Sequence, residues 1–176
     1  MKLLITSLIL FTILSSIVFA QILASSTISE SFKDRVLIPP DVAFLWNFQR
    51  GAEELYRFIK FSSTMRIEYS LELLERRIGE MEVLVNKSKL EYIPTIENAY
   101  EIEVDKIIVE MNSTDLTNII TKYMINLDVK ENVTQRLQYD IKVLDLISNQ
   151  VPESSKNYLM NAIKKTSVCI DVINRL

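Results

Sequence analysis

The chain has 176 residues, 48% apolar and 24% charged, with two glycines, four prolines, one cysteine, no histidine and a formal net charge of −3. This is the composition of one globular domain, and it excludes a disordered or collagen-like chain. The missing imidazole removes Ser-His-Asp and Cys-His triads, His-ligated zinc, Glu-x-x-His di-iron helices and histidine pH switches together.

Lys2 is the only charge before an apolar run from Leu3 to Val18, and Val18-Phe19-Ala20 offers a small-residue exit. That is the pattern of a secretory signal peptide over residues 1–20. The run continues through Ile22, Leu23 and Ala24, so residues 3–24, left uncleaved, would be long enough to anchor the chain in a bilayer. The hydroxyl residues Thr6, Ser7, Thr12, Ser15 and Ser16 favour cleavage over anchoring. A secreted or extracytoplasmic protein is expected, with N-terminal membrane anchoring as the alternative. Cleavage would leave 19 basic against 23 acidic side chains, a net charge of −4, with no basic patch for nucleic acid. Export agrees with three Asn-x-Ser/Thr triplets, which make Asn86, Asn112 and Asn132 candidate glycosylation sites on the surface. The lone Cys169 rules out an internal disulfide framework, and its setting among Val168, Ile170 and Val172 reads as a buried inert thiol.

Residues 21–40 form a linker that ends at Pro39-Pro40, where Asp41 is placed to cap a helix. The bundle domain is expected over 41–176. Its first helix, about 42–61, carries Phe44, Phe48, Ala52, Leu55 and Ile59 on one stripe, and Gly51 beside it would let another helix backbone come close. The stripe is expected to pack into the core. The functional reading makes Phe44, Trp46 and Phe48 an aromatic interaction face, for a ligand groove or a membrane surface.

After Ser62-Ser63-Thr64, a second helix places Ile67, Leu71, Leu74, Ile78, Met81 and Val85 at alternating steps of four and three, a narrow seam of the coiled-coil kind. Glu72, Arg76 and Glu80 pair at i, i+4 on what is expected to be a solvated outer face. A third helix, roughly 92–111, carries Ile93, Ile96, Tyr100, Val104, Ile107 and Met111. Residues 112–115 stop it. Leu116 to Leu144 then keep one heptad phase, as one long helix to about 149 or as two with a break near 128–133, where Lys130 and Thr134 occupy seam positions. Pro152 separates a last helix, about 153–175. The fold class is therefore all-α, an elongated antiparallel bundle of four to five helices preceded by an N-terminal signal or anchor helix.

The stretch Trp46-Asn47-Phe48-Gln49, Glu53, Phe58 and Phe61, then Glu68 and the run Glu72-Leu73-Leu74-Glu75-Arg76-Arg77-Ile78-Gly79-Glu80, resembles the family filed as domain of unknown function 5667. Its members pair a short aromatic helix with a long Glu/Arg-rich one. The stretch Val143-Leu144 through Val151-Pro152-Glu153 to Ala162-Ile163 is similar to the C-terminal helices of exported members, so the resemblance covers most of residues 41–165. Gln49 stands where the family pattern has Lys, and Gly79 where Ala is usual. The resemblance implies an exported or membrane-tethered all-helical module and supplies no catalytic residue.

The sharpest polar feature is a column of carboxylates on the third helix, Glu97, Glu101 and Asp105 at i, i+4 and i+8, about 6 Å apart. It could meet a basic partner or calcium, or be neutralised by Arg66, Arg76 or Arg77 from a neighbouring helix. No Asp-x-Asp-x-Asp-Gly loop accompanies it, and Gly51 and Gly79 lie inside helices rather than in a phosphate loop. No cofactor, metal or catalytic residue is expected. The expected function is a non-catalytic extracytoplasmic helical module that binds a protein or a cell-envelope component. The alternative is an exported stress or ligand sensor, or a chaperone-like protein, that binds apolar ligands or cations.

Overall fold

The structure, a computed structural model, describes residues 32–36, 38, 40–60, 62–112 and 119–176, and for 119–127 the backbone alone. The signal or anchor segment, most of the 21–40 linker and residues Ser113 and Thr114 of the second glycosylation triplet lie outside the described residues. Five α-helices follow in order, α1 (Ala43–Ile59), α2 (Ser63–Asn86), α3 (Ile93–Asn112), α4 (Ile119–Ser148) and α5 (Glu153–Arg175), with short 3-10 turns at Lys33–Arg35 and Leu90–Tyr92. Among the described residues there is no strand. The all-helical expectation holds.

Local chemistry sets several of the boundaries. Ser62 caps α2 by accepting a hydrogen bond from the Met65 backbone N–H at 3.1 Å. At the other end Ser88 adopts φ of 56°, with its N–H on the Val85 carbonyl at 3.0 Å and the Lys89 N–H on the Leu84 carbonyl at 2.9 Å. This is the paired-bond stop that usually recruits glycine. Asp41 does not cap α1. The cap position is Val42, without a side-chain bond, and Asp41 instead meets Lys87 at 3.2 Å. No break occurs at 128–133, because Lys130 and Thr134 are only partly buried and lose little by remaining helical.

The core follows the two seams read from the sequence. Leu71, Leu74, Ile78 and Met81 of α2 pack with Ile96, Tyr100, Val104 and Ile107 of α3, joined by Leu137 and Leu144 of α4 and Leu159 and Cys169 of α5. Each such side chain contributes roughly 1.5–3 kcal/mol by leaving water. α2 and α5 each pack against both α3 and α4. Neighbouring helices pair in both senses. α2 and α3 are antiparallel, since Arg66 near the start of α2 meets Glu110 near the end of α3. α4 instead runs parallel to α2. Its Arg136 reaches Glu68 and Glu75, and one turn on its Tyr139 stands edge-on to Phe32, whose backbone lies over Gly79. α5 likewise runs parallel to α3, with Glu97 on Asn161 and, eight residues on, Asp105 on Lys165. Both parallel pairs join alternate helices, which is what up-and-down connections between successive helices produce.

Two further expectations are overturned. The run of α2 from Leu73 to Met81 is buried on every side, so its Glu/Arg face is not solvated. α1 lies along that face, and the segment at 32–36 covers another part of α2. And α1 turns its apolar stripe outward: Phe44, Leu55 and Phe58 are 80%, 66% and 89% exposed, while Gln49 and Glu53 are buried. Gly51 has nothing within 4 Å of where a Cβ would stand, so among the described residues no helix uses its smallness.

Candidate functional site

The charges of the two helices explain the inverted packing of α1. Gln49, Glu53 and Arg57 recur every fourth residue and form one column on α1. The facing column of α2 offers Ser70, Arg76, Arg77 and Glu80. The two columns bond each other. Arg76 donates to Glu53 Oε1 at 2.7 Å, Arg77 to Glu53 Oε2 and to Glu80 Oε1, and Gln49 to Glu53 Oε1 at 2.9 Å. The Trp46 indole N–H donates to Glu80 Oε2 at 3.2 Å, and the Tyr69 hydroxyl to the Glu53 carbonyl at 3.3 Å. Arg57 extends the layer to α3, donating to Ser70 Oγ at 2.6 Å and to Glu103, which also receives Lys106 at 3.0 Å. Trp46 has guanidinium groups over its ring from Arg50 at 5.4 Å and Arg77 at 5.7 Å.

The electrostatics follow from that geometry. Burial alone would push the Glu53 carboxyl up, but the Arg77 and Arg76 guanidiniums and the Gln49 amide outweigh it and hold Glu53 below the usual carboxylate range. Glu80 is held less firmly. Its burial and the nearby Glu53 charge raise its proton affinity against the pull of Arg77 and Trp46. With both oxygens of Glu53 and both of Glu80 accepting bonds, this layer acts as a clamp that fixes α1 on α2.

A second polar cluster sits where α4 meets α2 and the 32–36 segment. Glu75 receives Arg35 and Arg136, the latter at 2.7 Å, and Arg136 also bonds Glu68 at 2.9 Å. Gly79 is required here, because a Cβ would stand 2.2 Å from the Phe32 carbonyl oxygen. Beside this cluster Asp140 is buried with no hydrogen-bond partner on either oxygen among the described residues. Burial raises its carboxyl well above the usual range, with Arg136 and Arg35 opposing it only in part.

The residues singled out in the sequence separate. The aromatic face splits: Phe44 is outward and Phe48 partly exposed, whereas Trp46 is 7% exposed and points into the clamp. The acidic column on α3 faces α5, not the arginines of α2. Asp105 pairs with Lys165 at 2.7 Å, and Glu97, raised by burial and by Glu101, takes a hydrogen bond from Asn161. Among the described residues no group of three acidic or cysteine side chains is placed to hold a metal ion. Asn86, Asn112 and Asn132 are all exposed, the last on the middle turns of α4. Cys169 is buried, and burial together with Asp105 pushes its thiol up to about 12, as an inert core thiol requires.

The residues that join α1 to α2 are also the ones that carry the resemblance noted above, and residues 38–154 match the family model described as domain of unknown function, DUF5667. The chain belongs to this family. The DUF5667 match takes in α1, α2 and the whole clamp, along with α3 and α4, and ends as α5 begins. No curated protein and no solved structure matches the chain. Sequence reasoning missed Glu53, Arg57, Arg77 and Glu103 as a unit. The signal was present as two charged columns, one on each helix, that can neutralise each other.

Proposed function

We propose that this DUF5667 chain is a non-catalytic, extracytoplasmic helical module whose working surface is the outward apolar face of α1. The observation that carries this reading is the direction of the helix. Phe44, Leu55, Phe58 and Ile59 stand in solvent, while the polar side of the same helix is committed to the clamp. A short amphipathic helix left to the hydrophobic effect alone would turn over. Holding it apolar side out requires the buried ion pairs, and a patch of several large side chains in the open is the usual mark of an interaction site. The leader-like residues 1–20 and the three Asn-x-Ser/Thr triplets support a place outside the cytoplasm, free or tethered by residues 3–24.

A photo-activated cross-linking residue placed at Phe58 in the exported chain tests the reading. Capture of a defined protein or lipid species, abolished when the same group is moved to exposed Glu131 on α4, is the expected result. No capture at Phe58 above the level at Glu131 would overturn it. Accumulation of small apolar compounds on α1 would favour the ligand-sensor alternative.

A further inference from the structure

We propose that the outward face of α1 is a two-fold interface between copies of this chain, with two α1 helices antiparallel and crossing at Gly51 and Ala52. The inference rests on the interaction reading above and names the partner. The outward stripe of α1 consists of Phe44, Leu45, Phe48, Gly51, Ala52, Leu55, Phe58 and Ile59, all exposed or part-exposed, with Ala43 to one side of it and Tyr56 turned to Tyr69 on the other. Reversing the helix about the point between Gly51 and Ala52 maps this set onto itself. Phe44 falls opposite Ile59, Leu45 opposite Phe58, Phe48 opposite Leu55, and Gly51 opposite Ala52. An isologous contact demands that self-complementarity, and the stripe meets the demand.

Three further observations agree. Gly51 weakens the helix and serves no contact among the described residues, since a Cβ there would meet nothing within 4 Å; at a helix crossing its smallness allows the two backbones to approach. The set contains no charge, so a copy meets no like-charge repulsion on the face, although the chain as a whole is acidic. And the six large side chains leave open about 700 Å² per chain, at ~150–250 Å² for a whole large side chain. Two copies would therefore bury about 1,400 Å², within the ~1,200–2,000 Å² of stable interfaces.

Two differently tagged full-length copies, one carrying Phe48→Cys and the other Leu55→Cys, test the geometry in the exporting cell. Cys169 is buried and does not compete. Oxidation is expected to join the unlike pair at least about fivefold more than Phe48→Cys with itself, since antiparallel crossing brings only the unlike positions together. Sedimentation of the purified exported chain is expected to show a dimer. Phe58→Glu should weaken it about 100-fold without unfolding an exposed position. Gly51→Gln is the decisive variant. It should raise the melting temperature of the monomer by about 2 °C through helix propensity, yet weaken the dimer at least about tenfold. A wild-type chain monomeric at about 100 μM, well above useful dissociation constants, would overturn the inference, as would dominant joining of like positions or a dimer indifferent to Gly51→Gln. If the chain is monomeric while the Phe58 cross-linker still captures another species, only the identity of the partner is lost. If it is monomeric and captures nothing, the interaction reading falls with it.

Discussion

The two sides of α2 are held by opposite physics. Toward α3 and α4 the helix presents Leu71, Leu74, Ile78 and Met81, fully buried among other apolar side chains. Toward α1 it presents Arg76, Arg77 and Glu80, equally sealed from water but bonded to Glu53, Trp46 and one another. The apolar side gains free energy in any register that excludes water. The charged side repays its desolvation only in one geometry, because each guanidinium must find its carboxylate. The contrast suggests a division of labour: the seam supplies cohesion, and the clamp decides which way up α1 sits.

Removing one member of the clamp should break this division most severely. Glu53→Gln leaves Arg76 and Arg77 without their shared carboxylate and is expected to cost about 3–5 kcal/mol in chemical denaturation, the range for an orphaned buried charge. The pH dependence has a definite sign. Glu53 is held below its ordinary 4.5 in the fold, so its contribution is present above that value and is lost as pH falls through the lowered one. The gap between wild type and Glu53→Gln should therefore narrow in acid.

Gly79→Ala tests the other covered part of α2. The added methyl cannot coexist with the Phe32 carbonyl as placed, and a loss of about 1–3 kcal/mol is expected, as for an overpacked site. Hydrogen exchange should localise the loss, with the 32–36 segment deprotected and the α2–α3 seam unchanged. If the seam opened instead, the two sides of α2 would not be independent.

Asp140 should respond to pH in the direction opposite to Glu53. Its raised folded affinity means that its favourable contribution is complete below the unfolded value near 3.8 and is lost as pH rises toward the folded value. Asp140→Asn is expected to be more stable than wild type at pH 7, by about 1–2 kcal/mol, with the advantage vanishing as pH approaches 4. Thermal melts at both pH values would show it. An advantage equal at the two would mean that Asp140 keeps its ordinary affinity.

The smallest effect belongs to the stop after α2. Ser88 sits at φ of 56°, where glycine is at ease. Ser88→Gly should stabilise by about 0.5–1 kcal/mol and leave both sides of α2 as they are.

Much of the bundle was legible beforehand. The spacing of Ile67, Leu71, Leu74, Ile78, Met81 and Val85 and of Ile93, Ile96, Tyr100, Val104, Ile107 and Met111 marks two seams, and all twelve side chains are buried or half-buried. A step of four and three is a local property, and the core reads it directly. What the sequence could not give was the sign of α1. Its stripe is as clear as any other, but a stripe only says that two faces differ, and the rule that the apolar face goes inward assumes a greasy neighbour. The neighbour here is Arg76, Arg77 and Glu80, read beforehand as solvent-facing because charged residues usually are. Trp46 shows the same limit, since it was grouped with Phe44 by chemistry and separated from it by two residues of helical rotation.

The position of Trp46 has a practical consequence. It is the single tryptophan of the chain, wedged between the guanidiniums of Arg50 and Arg77 with its indole bonded to Glu80. Its fluorescence is thus a label-free gauge of docking for one helix: emission should redden and lose its local quenching when α1 lifts, at a denaturant concentration where circular dichroism still registers the remaining rods as intact.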